Sequence, residues 1–219
     1  MKFQVATAAT LAALFLVACG PNAEEQAAAK AKAEADSLAA AAAQEMTYTI
    51  DAASSKVNWT GTMLGIKNHT GTLLFSNGTV MTKGGMLSGG EFTVDMKSYT
   101  MTDTNYAPDG SEKGTRAMLM GHLMSPDFFA VDSFPTATLK ITSANGNTAT
   151  ADLTVRGKTN SETITDIVVT PNEDGSMTAT GKLVFDRQKY NVKWDSGSKE
   201  AVLNDNIELT VELSGKAAQ

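Results

Sequence analysis

The sequence predicts an all-β domain, an antiparallel meander of about eight strands or more, preceded by an apolar leader and an alanine-rich segment. Three observations carry that prediction. Apolar and polar residues alternate with period two in segment after segment beyond residue 46, the pattern of strands with one buried and one wet face. Threonine and valine are enriched in those segments, and β-branched side chains suit a pleated, half-buried surface. Clusters of glycine, asparagine and serine punctuate them.

The chain opens with a positive residue, Lys2, and an apolar run over residues 6–18, "ATAATLAALFLVA". That run is short for a membrane span and has the length of a signal-peptide core. It leads into "LVAC" before Gly20, which is similar to the bacterial lipobox, whose cysteine is acylated and heads the mature chain. Residues 1–18 are therefore expected to be a lipoprotein signal peptide and Cys19 a lipid anchor. Cys19 is the single cysteine, so no internal disulfide is available and the fold must rest on its core. An anchor of several acyl chains gives stable attachment, so the membrane is an expected partner through Cys19. Gly20 after the cysteine leans toward the outer membrane by likeness to enterobacterial sorting. Residues 19–45 read as an alanine-rich, partly helical tether, because Leu38 is their only large aliphatic residue and no stripe exists to pack on a core.

Residues 46–219 form the expected domain. "SKVNWTGTM" places Val57, Trp59 and Met63 on one side, and "EFTVDMKSY" does the same with Phe92, Val94 and Met96. "TLKITS" pairs Leu139 with Ile141, and "ADLTVRG" pairs Leu153 with Val155. "SMTATGKLVFD" aligns Met177, Ala179, Gly181, Leu183 and Phe185; "NIELTVEL" aligns Ile207, Leu209, Val211 and Leu213. Hairpin-type connections are expected at "SNGT" (76–79), "KGG" (83–85), "SGG" (88–90), "NGN" (145–147) and "NEDGS" (172–176). A sheet this long with one apolar face either folds into a sandwich or curls into a barrel that removes its edges.

Residues 114–124, "GTRAMLMGHLM", break the alternation and predict a short helix. Ser125 and Pro126 then resemble the N-cap and first position of a single turn through Phe129. Met118, Met120, His122 and Met124 offer thioether and imidazole groups suited to copper(I). At helical spacing, however, Met118 and His122 share one face and Met120 and Met124 another. The four do not converge, and no metal site is expected. His122 is expected to be structural, hydrogen-bonded near the helix C-terminus.

Charge narrows the function classes. The net charge is −6, and five acids against two lysines in residues 19–45 leave about −4 on the domain. An acidic domain without basic clusters excludes nucleic acid as partner and charge-driven docking on anionic lipid. No G-x-S-x-G elbow, glycine-rich phosphate loop or dinucleotide fingerprint occurs. Ser125 and Asp127 serve as cap and first-turn acid, and His69 lies near a turn, so no catalytic residues are assigned and the protein is not expected to be an enzyme.

Several segments resemble the YceI-like domain family. "HLMSPDFFAVDSFPTATL" is similar to its H-L-x-S-x-D-F-F-x-V-x-x-[YF]-P-T-A signature. "YTIDAASSKVNWTG", "GGEFTVDMKSYTMTD", "ATADLTVRGKTNSETI" and "DNIELTVEL" resemble further family segments in order, over roughly residues 47–214. "GTMLGIKNHTGTL" departs from the commoner family form. The resemblance implies a lipocalin-like antiparallel β-barrel of eight strands with a short helix, in a periplasmic or secreted protein. It also implies, for some members, a polyisoprenoid chain of the quinone-tail type along the barrel axis.

An eight-stranded barrel is just wide enough to be filled by side chains or to hold one slim ligand. The expected lining is Trp59, Met63, Phe92, Val94, Met96, Leu153, Val155, Leu183, Phe185, Leu209 and Val211, with Leu119, His122, Leu123, Phe128 and Phe129 closing the barrel. Gly181 on the inward face would leave room for a chain. The expected function is an envelope lipoprotein that binds or carries a polyisoprenoid, an isoprenoid quinone or a similar amphiphile, with no other cofactor. The alternatives are a ligand-free structural or interaction lipoprotein and, further off, a copper-binding envelope protein.

Overall fold

The computed structural model describes residues 22–64, 67–194 and 202–218. The leader and Cys19 lie outside the described residues. The chain divides into a unit ending at Ala41 and a larger unit from Ala42 onward.

Helix α1, Ala23–Ala43, buries none of its residues. Local devices hold it instead. The Asn22 side chain accepts from the Glu25 N–H at 2.8 Å, while the Glu25 carboxylate accepts from the Asn22 N–H at 3.1 Å, a reciprocal cap of the helix start. Lys30–Glu34 and Lys32–Asp36 pair one turn apart. Among the described residues no helix is long and apolar enough to cross a membrane.

The larger unit is a closed antiparallel barrel. Its strands are β1 Glu45–Ile50, β2 Lys56–Leu64, β3 Lys67–Lys83, β4 Met86–Met101, β5 Thr136–Asn145, β6 Thr148–Val155, β7 Lys158–Pro171, β8 Ser176–Asp186 and β9 Val202–Ala217. The order β3-β2-β9-β8-β7-β6-β5-β4 closes on itself through the β3–β4 pairing. Strand β1 is not a ninth stave. It pairs with the far ends of β3 and β9, extending the position that β2 occupies between the same two strands. The result is eight staves with no free edge. Ser55, fully buried in the jog between β1 and β2, ties them to β9: its hydroxyl donates to the Ser214 carbonyl and accepts from the Ser214 N–H.

The two ends of the barrel differ. At one end β3–β4, β5–β6 and β7–β8 are joined by tight turns, each with a glycine at positive φ (Gly84 and Gly85, Gly146, Gly175). At the other, the long β4–β5 connection carries helix α2, Arg116–Met124, and a 3-10 helix, Arg187–Tyr190, follows β8. The chemistry of the molecule gathers at this second, helical end.

Two of the expected turns are strand. "SNGT" lies inside β3 and "SGG" inside β4, whereas "KGG", "NGN" and "NEDGS" do turn the chain. The β3–β4 register shifts between Phe75 and Asn77, so the polar cluster marks a bulge. The bulge flips the parity of burial: Leu73 and Phe75 precede it, and Val80 and Thr82 follow on the same inner face. In β7, Asp166 at φ 53° sits within another register shift and brings Ile164, Ile167 and Val169 to one side. Strand β9 keeps one parity although its register against β2 shifts between Gly61 and Met63, and its expected alternation is observed at Ile207 and Leu213.

Helix α2 starts two residues later than expected, with Thr115 as N-cap accepting from the Met118 N–H. Ser125 is its C-cap, donating from both N–H and hydroxyl to the His122 carbonyl. The same hydroxyl accepts from the Asp127 N–H at 3.2 Å, so Ser125 also opens the Pro126–Phe129 turn, as the sequence suggested.

Candidate functional site

The barrel encloses a cavity of about 230 Å³. Side chains of all eight staves reach it, and all eleven expected lining residues are among them. The structure adds Leu73, Phe75 and Val80 from β3, Tyr99 from β4, Ile164, Ile167 and Val169 from β7, and Trp194. Gly181 faces the cavity, but the room its missing side chain leaves is bordered closely by Ile164 at 3.3 Å and Val211 at 3.7 Å. A volume of this size, several times what one water needs, suits a slim ligand.

Gly71 shows how tightly the wall is built. A Cβ there would lie 2.0 Å from the Thr100 carbonyl oxygen and 2.6 Å from the Trp59 ring. Gly71→Ala must displace backbone, and we expect it to destabilise the barrel by about 2–3 kcal/mol, read as a lower urea midpoint at unchanged slope. Trp59 itself is 7% exposed and meets Tyr99 edge-on at 5.7 Å.

The expected closing residues all reach the cavity from the helical end. Leu119, His122 and Leu123 come from α2, and Phe128 and Phe129 from the turn after it. Met118 does not border the cavity and is 47% exposed. The His122 ring packs between Trp194 at 4.8 Å and Phe128 at 5.1 Å. The His122 carbonyl accepts from the Ser125 N–H and hydroxyl at the helix C-terminus. Arg156, at positive φ in the β6–β7 turn, pins this closure. Its guanidinium donates to the carbonyls of Phe128, Asn191 and Pro126, each at 2.7 Å.

Beside this apolar closure lies a polar cluster that the sequence did not assemble. His69 occupies the inward parity of β3 with Gly71, Leu73 and Phe75, and it borders the cavity. Its Nδ1 lies 3.2 Å from Asp103 Oδ1, and its ring stacks on Tyr106 at 5.0 Å. Asp103, just beyond β4, also accepts from the Tyr106 hydroxyl at 2.6 Å, the Thr70 N–H at 3.0 Å and the Asn105 N–H at 3.0 Å. Arg116 donates to the Asp103 carbonyl and stands 5.1 Å over the Tyr106 ring. The signal was present only as an acid after a central strand and a histidine 34 residues before it, too far apart to pair by spacing.

The protonation states follow from these contacts. Burial alone would raise the Asp103 carboxyl, but the hydrogen bonds from Tyr106, Thr70, Asn105 and His69 outweigh it and hold the group at about 2. For His69, burial lowers the imidazole and outweighs the raising influence of Asp103. The pair is therefore a neutral imidazole donating to a carboxylate, not an ion pair. Burial, helped by Asp103, pushes the Tyr106 phenol up and keeps it a donor.

A pH dependence follows. A carboxyl held below its ordinary value contributes stability that is complete above about pH 4 and is lost as pH falls toward about 2. With the Asp103 side chain only 9% exposed, that contribution is about 2 kcal/mol. Urea midpoints of the wild type and Asp103→Asn are expected to differ most at neutral pH and to converge near pH 2.

Comparison with known proteins places this architecture. The YceI-like domain pattern matches residues 48–215. The chain is similar in structure to BcnA of Burkholderia cenocepacia, with TM-score 0.60 and 22% identity over 75% of this chain and 98% of that one. It is also similar to a polyisoprenoid binding domain from Saccharophagus degradans implicated in plant cell wall breakdown, with TM-score 0.57 and 12% identity over 79% and 99%. No curated protein matches in sequence.

Proposed function

The chain belongs to the YceI-like domain family, and we propose on that premise that it holds a polyisoprenoid or similar chain-shaped amphiphile in its barrel and carries or shields it within the cell envelope. The cavity is the observation that supports this reading. It is walled by hydrocarbon and aromatic side chains from every stave, and it lies along the inside of a closed barrel. Each methylene buried there contributes on the order of 0.8 kcal/mol, so a prenyl tail binds without a rigid polar frame. The fold shared with a protein described as polyisoprenoid binding supports the choice of ligand class. The protein acts as a binding protein rather than a catalyst, and needs no cofactor beyond its cargo.

An acylated Cys19 tethers the barrel to the outer membrane in this reading. Helix α1, of 21 residues and about 30 Å in length, is the spacer. The single cysteine after an apolar run and the solvated, uncommitted surface of α1 support this.

The two tryptophans, Trp59 and Trp194, both border the cavity, so intrinsic fluorescence reports its occupancy. Titration of the purified chain with prenyl alcohols of increasing length is expected to quench or shift that signal. Affinity should rise by about tenfold or more with each added isoprene unit until the cavity is full, then level off. A signal unchanged across the whole length series would refute the proposal.

A further inference from the structure

The cavity wall is mostly apolar, and at its helical end stands a polar group whose hydrogen-bonding direction is fixed. This is His69, on the inward face of β3 and on the cavity wall. The geometry points to His69 as a head-group reader: its Nε2 is a hydrogen-bond acceptor that selects amphiphiles whose head carries a donor, a hydroxyl or an amide N–H, over the same chain ending in an ether or ketone. The inference rests on the barrel binding a chain-shaped amphiphile.

Three features set that direction. Asp103 faces Nδ1 at 3.2 Å, and a carboxylate can only accept, so the ring proton sits on Nδ1 and Nε2 keeps its lone pair. Asp103 is itself fixed by Tyr106, Thr70 and Asn105, which leaves its charge no competing geometry. Tyr106 stacks on one side of the ring, with Arg116 over Tyr106 and Lys67 bonded to the Asn105 carbonyl, so the imidazole cannot turn over freely. Burial lowers the His69 pKa and keeps it neutral and accepting at neutral pH. An acceptor at the edge of an apolar cavity rewards a partner that can donate and penalises one that cannot.

The test compares geranylgeraniol with its methyl ether, in which a methyl group replaces the head donor, by tryptophan fluorescence on the purified full-length chain. The wild type is expected to bind the alcohol about tenfold more tightly than the ether, the worth of one hydrogen bond to an acceptor on the cavity wall. In His69→Phe, which preserves stacking on Tyr106, the alcohol-to-ether ratio falls to about one. Asp103→Asn can donate to Nδ1 and move the ring proton to Nε2, from which hydroxyl and ether oxygens accept alike, so it removes the preference. Should His69→Phe not fold, His69→Leu carries the same comparison, and the wild-type ratio stands without either. A wild-type ratio near one overturns the inference while leaving the barrel a lipid binder. A ratio that persists in a folded His69 variant also overturns it. Binding of neither ligand removes the carrier reading itself.

Discussion

Ala179→Phe is expected to abolish uptake of a prenyl chain while leaving the barrel at least as stable as the wild type. Ala179 lies on the inward face of β8 and borders the cavity. A phenyl ring there takes much of the 230 Å³, since an apolar cavity of about 150 Å³ already accommodates benzene. Binding should fall by at least about tenfold, and filling empty apolar space should add about 0.5–2 kcal/mol where the rotamer fits. The combination discriminates. A substitution that merely disrupts the barrel lowers binding and stability together, whereas a plug separates them. Fluorescence titration and urea unfolding on one preparation read both.

Arg187→Ala should produce the largest loss of stability. Arg187 is 3% exposed and is the first residue of the 3-10 helix that follows β8. Its guanidinium donates to the carbonyls of Val192 at 2.8 Å, Trp194 at 3.1 Å, Asn204 at 3.3 Å and Leu203 at 3.5 Å, and pairs with Asp205 at 2.8 Å. Removing it leaves several carbonyls unpaired at once. The expected cost is about 3–5 kcal/mol, or roughly 10 °C in Tm for a domain of this size. Arg187→Lys should recover little, because an ammonium has fewer donors and lacks the planar fork. The bond to Trp194 links this cation to the cavity, since the Trp194 ring packs on His122 and Phe128. Arg187→Ala is therefore also expected to weaken prenyl binding in whatever fraction remains folded.

Much of this architecture could be read from the chain. Strands β6, β8 and β9 declare themselves because one parity of burial runs through each core-facing set, as in Leu153 with Val155 or Leu183 with Phe185. Side chains on those parities border the cavity. Strands β3 and β7 were harder because bulges reset the alternation, so "SNGT" imitates a turn and Ile164 and Ile167 fall three apart on one face. Their share of the cavity wall was missed for that reason. Trp194 was missed because it lies outside any strand and is positioned by Arg187 and by ring contacts. The His69–Asp103–Tyr106 cluster joins residues across the β3–β4 pair, and only the fold brings them together. Long-range polar pairing leaves no periodic trace, whereas burial does.

The most direct measurement is the lipid content of the purified protein. The full-length chain and Ala179→Phe would be isolated side by side from a bacterial envelope, extracted with organic solvent, and analysed by mass spectrometry. The account predicts roughly one equivalent of a compound in a prenyl mass series in the wild-type extract, absent from the plugged variant. Identical extracts, together with no uptake by the wild type after incubation with polyprenyl quinones, would contradict it.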